Sequence, residues 1–455
     1  MDITKLHQIY HKSEVKWQDP IIIGQAIYHK FSTMVMLYSG MDVGYSGRYS
    51  IIGYDVKDAI VSADFSKLAE KLSDDLAIFD NCWFGYLAYE LKDYLENFPK
   101  ADDSFIQNPN ILMLQFNNIL LFDHHAERLW HYSVNNSLEN NHATEQSENE
   151  QSVFPFYNVE DNDDKFDKNI VVTGNLASNM TKQQYLTKVK YIQQKIIDGD
   201  IYQANLTRKF YGNISNYQQL NKFLLFRQST IISPAAYSSF IKYDDLNIIS
   251  TSPEQFIKCD AKGNIVTRPI KGSSARASDP DQDKILLNNL KNSEKERAEN
   301  LMIVDLMRND LARSAKIGSV KVEDLFRVTS YKTIHHMDST ILATKNHNIT
   351  SLEMVQNCFP PGSMTGAPKI RAMEICQELE QQKRGIYSGI IGYFAGDGSC
   401  DFSVVIRTLI IKQDKFELQV GGAITYDSIA EQEWRETIYK AAALCQLLNI
   451  DIENL

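Results

Sequence analysis

The chain has 455 residues, 43% apolar and 11% aromatic, more than one ordinary core serves, so we expect one large composite domain or two intimate ones. Its formal net charge is −11 and no long Lys/Arg block occurs, which argues against nucleic acid and anionic membrane as main partners; an anionic ligand would need positive charge gathered locally. The six cysteines (Cys82, Cys259, Cys358, Cys376, Cys400, Cys445) form no CxxC pair, the first residues lack an apolar signal core, and no run approaches the ~18 apolar residues of a membrane span, so the expectation is a reduced cytoplasmic protein.

In chain order, IIIGQAIY (21–28), TMVMLYSG (33–40), YSIIGYD (49–55), WFGYLAYEL (83–91) and ILMLQFNNILLFD (111–123) read as β-rich runs punctuated by Gly and Asp, an antiparallel sheet with few helices. The stretches 133–152 and 158–169 are polar, Asn-rich and acidic, and read as part of a polar flexible connection over 133–179, between a β-rich region 1–132 and a mixed region 180–455. Thr181 is placed to cap a helix whose Tyr185, Val189, Ile192 and Ile196 recur at helical spacing, ended by Asp198-Gly199-Asp200. Residues 293–316 read as a long helix capped by Ser293, SVVIRTLII (403–411) as a β-branched strand, and 430–448 as a second strong helix. Together these predict an α+β fold: two layered, largely antiparallel β-sheets forming a sandwich with helices on the outside.

Several residues stand out chemically, each with a plain structural alternative. Lys271 in TRPIKGSS (267–274) is either an exposed strand-end lysine or a reactive amine held beside a permissive glycine. Glu433, Glu436 and Lys440 at i, i+3 and i+7 share a helical face, suited to a hard cation or simply to solvent. Glu299 lies beside the apolar run LMIVDLM and needs a partner if it turns inward. PPGSMTGAPK (360–369) is a loop that either aims N–H groups at an anion or merely leads into a helix; it is not a P-loop. The adjacent Gly421 and Gly422 allow close backbone approach to a ligand, or a tight turn. Arg407 within an apolar run either binds an anion or faces solvent, and His336 is either a polar contact or a satisfied core histidine.

In their order, SPEQF (252–256), RPIKG (268–272), KERAENLMIVDLMRND (295–310), HHMDST (335–340), GSMTGAPKIRAMEI (362–375), YSGIIGY (387–393), VIRT (405–408) and GGAI with EWRET (421–437) resemble the chorismate-utilising enzymes, the component I synthases of folate and tryptophan precursors. The resemblance is dense over 180–448 and extends to LYSG (37–40), GRYSIIG (47–53) and WFGYLAYE (83–90). It implies an anthranilate synthase component I-like fold. Gln203 stands where members that add water carry a lysine base, which resembles the ammonia-using branch; Lys271 stands where anthranilate-forming members usually read PIAG, and a lysine there marks the branch that makes 4-amino-4-deoxychorismate for p-aminobenzoate and folate.

That resemblance implies that Lys271, as a neutral amine, attacks C2 of chorismate while the C4 hydroxyl leaves, and that ammonia then adds at C4 and expels the lysine; its surroundings are expected to favour the neutral amine. Glu254 is then the general acid. Glu299 and Glu436, with Glu433 directly or through water, resemble the ligands of Mg²⁺. Arg407, Tyr387 and Lys440, with the backbone of Gly421 and Gly422, match positions that hold the enolpyruvyl carboxylate; Ser363 and Gly366 match the loop at the ring carboxylate; His336 matches an active-site histidine, and Gln203 joins the substrate-binding set. Ser39 in LYSG partly matches a tryptophan-binding signature. The sequence departs from relatives at Ser273-Ser274-Ala275-Arg276, Ala423 and Pro361. No cysteine has the Gly-x-Cys-x-Gly context of a glutamine amidotransferase, so ammonia is expected from a separate glutamine amidotransferase subunit, and a downstream aminodeoxychorismate lyase is expected to act on the product. Two alternatives remain: an anthranilate synthase component I, or a catalytically silent subunit that binds tryptophan or chorismate.

Overall fold

The computed structural model describes residues 10–44, 46–74, 82–134, 156, 172–331 and 334–452. The strand Ile111–Asp123 organises the rest. Tyr49–Ser62 runs antiparallel along its whole length, while its first half also pairs with Trp83–Leu87 and its second half with Arg128–Val134. Two arms of antiparallel sheet diverge from it. One continues through Met34–Tyr38, Tyr237–Tyr243, Leu246–Ser252, Thr408–Lys412, Lys415–Ile424 and Gln203–Ile214. The other runs through Ile390–Phe394, Cys400–Val404, Gln255–Cys259, Asn264–Arg268 and Ile334–Thr344.

The arms face each other over a shared core, in which Val35, Ile241, Ile248 and Ile410 of the first meet Phe84, Tyr86 and Ile391 of the second. This is the layered antiparallel α+β architecture expected, with the two sheets continuous through one strand. Helices cover the outside. Ala430–Leu447 buries Ala441, Leu444 and Cys445 against the first arm's outer core, and Glu294–Ala312 buries Ile303, Val304, Met307 and Leu311 against the second's. Lys182–Ile197 starts at the expected cap, where Thr181 and Gln184 close a reciprocal capping box. Among the described residues no helix is long and apolar enough to cross a membrane, and all six cysteines are free and buried.

Three expectations need correction. Residues 21–28 belong to a helix, Pro20–Lys30: the Asp19 side chain accepts from Ile21 N at 2.7 Å and Pro20 takes the first turn, and this start outweighs the β-branched composition. Most of 133–179 lies outside the described residues, but Val172–Ser178 is a strand paired with Gln203–Ile214. The run 403–411 is not one strand. Cys400–Val404 lies in one arm and Thr408–Lys412 in the other, and Arg407, at φ 50°, turns the chain between them. The segment 246–259 crosses between arms in the same way, breaking at Pro253-Glu254. The two crossovers lie side by side: Val404 N donates to Glu254 O and Thr251 N to Arg407 O, both at 3.1 Å.

Candidate active site

A cavity of about 580 Å³ opens where these crossovers meet the two glutamate-bearing helices. Lys271 reaches it from an irregular strand. Opposite Ile334–Thr344, Ile270 pairs with Asp338 and Ser273 with His336, so three steps on one strand match two on the other. The extra residue is a β-bulge, a device that re-aims a side chain. Gly272 makes it feasible: its φ is +90°, and a Cβ there would lie 2.9 Å from Glu296 Oε2. Lys271, half-buried, turns its Nζ to Ser363 O at 3.4 Å.

Glu254 comes from the neighbouring crossover and is 5% exposed. Burial pushes its carboxyl up to about 7, against a hydrogen bond with the Ser363 side chain, the charge of Lys271, a hydrogen bond with the Ile270 backbone and the charge of Arg407. Arg407 is drawn below its ordinary value by burial, opposed by Glu254. A left-handed arginine is uncommon and is kept where the surroundings over-determine it; here its carbonyl is fixed by both the N–H and the hydroxyl of Thr251. Tyr387 and His336 complete this end of the cavity. His336 is buried with Nδ1 unbonded, and burial, then the charge of Arg407, pulls it down to about 3, so the ring is neutral.

The opposite wall carries two i, i+3 carboxylate pairs: Glu296 and Glu299 on Glu294–Ala312, Glu433 and Glu436 on Ala430–Leu447. Burial pushes Glu299 up to about 7; Lys271 opposes this, Glu296 and Glu433 add to it, and Oε1 has no hydrogen-bond partner. Lys295 Nζ stands 3.9 Å from that oxygen. Glu433 is raised by burial and accepts from Ser428 Oγ at 2.8 Å. For Glu436, burial acts upward but is outweighed by Lys440, 2.6 Å away, which holds it below the ordinary value. Lys440 Nζ also donates to Gly421 O at 2.7 Å. Gly422 leaves the room between: a Cβ there would lie 3.2 Å from Glu433 Oε2 and 4.0 Å from Glu436 Oε1. Among the described residues no three metal-ligating side chains are gathered closely enough to form a ready-made metal centre.

Lys271, Glu254, Arg407, Tyr387, His336, Ser363, Gly421, Gly422, Glu299, Glu433, Glu436 and Lys440 thus share one cavity. Gln203 and Gly366 lie behind its wall. Gly366, at φ +144°, pairs with Ala204, and a Cβ there would sit 2.3 Å from Gln203 O; the Gln203 side chain is buried with Oε1 unbonded. Ser39 lies apart, in a second cavity of about 430 Å³, its Oγ donating to Tyr49 O at 2.7 Å. The sequence reading passed over Glu296, Lys295, Asn205 and Gln419, all of which line the main cavity. Glu296 was within reach of the same i, i+3 argument, since Glu296/Glu299 repeats Glu433/Glu436. Asn205 and Gln419 carried no local signal; only the pairing of Gln203–Ile214 with Lys415–Ile424 brings them to the cavity.

The chain is 37% identical over 364 residues to aminodeoxychorismate synthase component 1 of Escherichia coli, covering 80% of this chain and 76% of that one. It is 44% identical over 265 residues to the chloroplastic aminodeoxychorismate synthase of Arabidopsis thaliana, covering 58% of this chain but only 28% of that longer protein. The crystal structure of anthranilate synthase component I from Streptococcus pneumoniae superposes with a TM-score of 0.71 at 26% identity, over 88% of this chain and 92% of that one. The profile of the chorismate binding enzymes matches residues 8–446, nearly the whole length, and the chain belongs to that family.

Proposed function

We propose that this protein converts chorismate and ammonia to 4-amino-4-deoxychorismate, drawing ammonia from a separate glutamine amidotransferase subunit in the cytoplasm. The observation that carries the reading is Lys271 at a bulge, its Nζ meeting Ser363 O, in the cavity that also holds the buried Glu254. The lysine nitrogen forms a bond to C2 of chorismate as the ring double bonds shift and the C4–O bond breaks; Glu254 gives its proton to the departing hydroxyl, which leaves as water. Ammonia then bonds to C4, the double bonds shift back, and the C2–N bond breaks to return the Lys271 amine. Two allylic displacements keep the new nitrogen at C4.

Arg407 offers a planar cation to the substrate's enolpyruvyl carboxylate, with Tyr387 beside it. The other wall suits a hard divalent cation: its donors are carboxylate oxygens, one of them the unbonded Glu299 Oε1. Glu299 and Glu436, with Glu433, would hold Mg²⁺, which when bound supplies positive charge at the ring carboxylate. His336, Ser363, Gly421, Gly422 and Lys440 shape the remaining walls, with Gln203 and Gly366 behind them, and Ser39 lies in a separate cavity, the candidate place for tryptophan.

The alternative, an anthranilate synthase component I, is favoured by the S. pneumoniae structure but opposed by Lys271. Mass spectrometry of products from chorismate, Mg²⁺ and ammonium, with and without an aminodeoxychorismate lyase, separates the readings. Aminated chorismate that the lyase turns into p-aminobenzoate is expected, and Lys271→Ala should lower its rate roughly 10²-fold or more, the scale of a lost positioned group. Anthranilate formed without lyase would overturn the assignment, and unchanged chorismate would favour the silent binding subunit.

A further inference from the structure

Arg384 is 2% exposed and was not singled out by any motif chemistry in the sequence. All five of its N–H donors are engaged. Nε donates to Glu380 Oε2 and Nη2 to Glu380 Oε1, both at 2.8 Å, a fork-to-fork ion pair. The second Nη2 hydrogen goes to Asn205 O at 2.9 Å, and Nη1 serves Met364 O at 2.7 Å and Ser388 Oγ at 3.4 Å. Glu380 Oε1 also accepts from Thr207 N at 2.9 Å. Behind the guanidinium, Glu90 accepts the Arg384 N–H at 2.7 Å and the Gly385 N–H at 2.9 Å, and Tyr89 stacks 4.6 Å away.

The three outward contacts are not scattered. Met364 follows Ser363, whose carbonyl receives Lys271 and whose side chain favours the charged form of Glu254. Asn205 lines the cavity floor, and its Nδ2 donates to the same Met364 O at 3.3 Å. Ser388 follows Tyr387, stands at φ 66°, and donates its N–H to Val405 O at 2.9 Å, in the crossover that ends at Arg407. One buried cation therefore ties together the loop of Ser363, the strand of Asn205 and, through Ser388, the crossover that ends at Arg407, all of which line the cavity.

We infer that Arg384, clamped by Glu380 and Glu90, is a positioning residue that holds Ser363 where it sets the distance between Lys271 and Glu254. This deepens the proposed reaction and rests on that reading. Lysine cannot replace the arginine, because one ammonium cannot span two carboxylate oxygens and three separate acceptors. Misplacement of reacting groups by mutations away from the chemistry lowers rate far more than binding.

The test compares Arg384→Lys with the wild type, on the folded fraction, as kcat and chorismate KM across pH. With KM nearly unchanged, kcat should fall roughly 10- to 100-fold. The high-pH limb of kcat should also move upward, because Glu254, which faces Lys271 and Arg407, loses the Ser363 side chain that favours its charged form. Unchanged kcat and limb, or a loss confined to KM, would overturn the inference. If Arg384→Lys does not fold, Glu380→Gln keeps the volume but weakens the clamp, and the same shift in limb is expected; a wild-type profile there, or loss of fold in both variants, makes the role structural and overturns the proposal. The reaction itself is judged on the wild-type product alone, and positioning on the ratio of variant to wild type for whatever product forms.

Discussion

Glu254 keeps its proton into the neutral range because burial outweighs the cations near it, and its carboxyl titrates at about 7 against an ordinary 4.5. A group that must give a proton to a leaving hydroxyl is useful only while it holds one, so kcat should decline as pH rises through about 7. Glu254→Gln keeps the shape and loses the proton; kcat should fall about 10²- to 10⁴-fold, and the remaining rate should lose that limb. The linkage has a definite sign. The folded value is raised, so the stability tied to this proton is present below 4.5 and is lost as pH rises through about 7. Relative to wild type, the glutamine variant should therefore melt comparatively higher at pH 8 than at pH 5. A high-pH limb that persists unchanged in the variant would assign it to another group.

At the level of elements, the site depends on irregularities in otherwise regular strands. The Lys271–Gly272 bulge aims the lysine, and the breaks at Pro253-Glu254 and at Arg407 hand the chain from one sheet to the other. Gly272→Ala tests the bulge: a Cβ at φ +90° costs roughly 1–2 kcal/mol in backbone strain and would meet Glu296 Oε2 and Leu290 Cδ1 at 2.9 and 3.1 Å. The expected result is a modestly lower melting temperature with a disproportionate loss of kcat, since Lys271 must move; equal activity per folded molecule would show that the lysine does not need this backbone. These irregularities also mark the limit of what could be read beforehand. The helices starting at Thr181 and Ser293 were legible, because caps and 3.6-residue spacing are local. The break inside SVVIRTLII was not, because its residues favour strand and only the distant pairing with Leu246–Ser252 forces the turn. The carboxylates Glu299, Glu433 and Glu436 were legible as types at a spacing, whereas their convergence depends on two helices far apart in sequence. For Arg384 only the contacts to Glu380 and Ser388, each four residues away, are local, while those to Asn205, Met364 and Glu90 that link it to the site are remote.

For the whole molecule, an acidic chain of net charge −11 gathers Lys271, Lys295, Arg407 and Lys440 around one cavity, which is how it can receive a dianion. The walls of that cavity come from residues beyond 200, yet the sheets beneath them are completed by the first 134. Met34–Tyr38 pairs with Tyr237–Tyr243, and Trp83–Leu87 with Ile390–Phe394. Removing the first region would expose both edges and uncover Ile241, Ile248 and Ile391, which share a core with Val35, Phe84 and Tyr86. Residues 172–455 alone should therefore lack a cooperative melting transition, even though they hold every group assigned to the chemistry. Co-expressed as separate chains, 1–156 and 172–455 should co-purify in equal amounts and recover activity, because strand pairing and core burial, to which Phe156 contributes, link them. A 172–455 fragment that melts cooperatively and turns over chorismate by itself would show that the sheet edges are dispensable and that the first region serves only the second cavity, around Ser39.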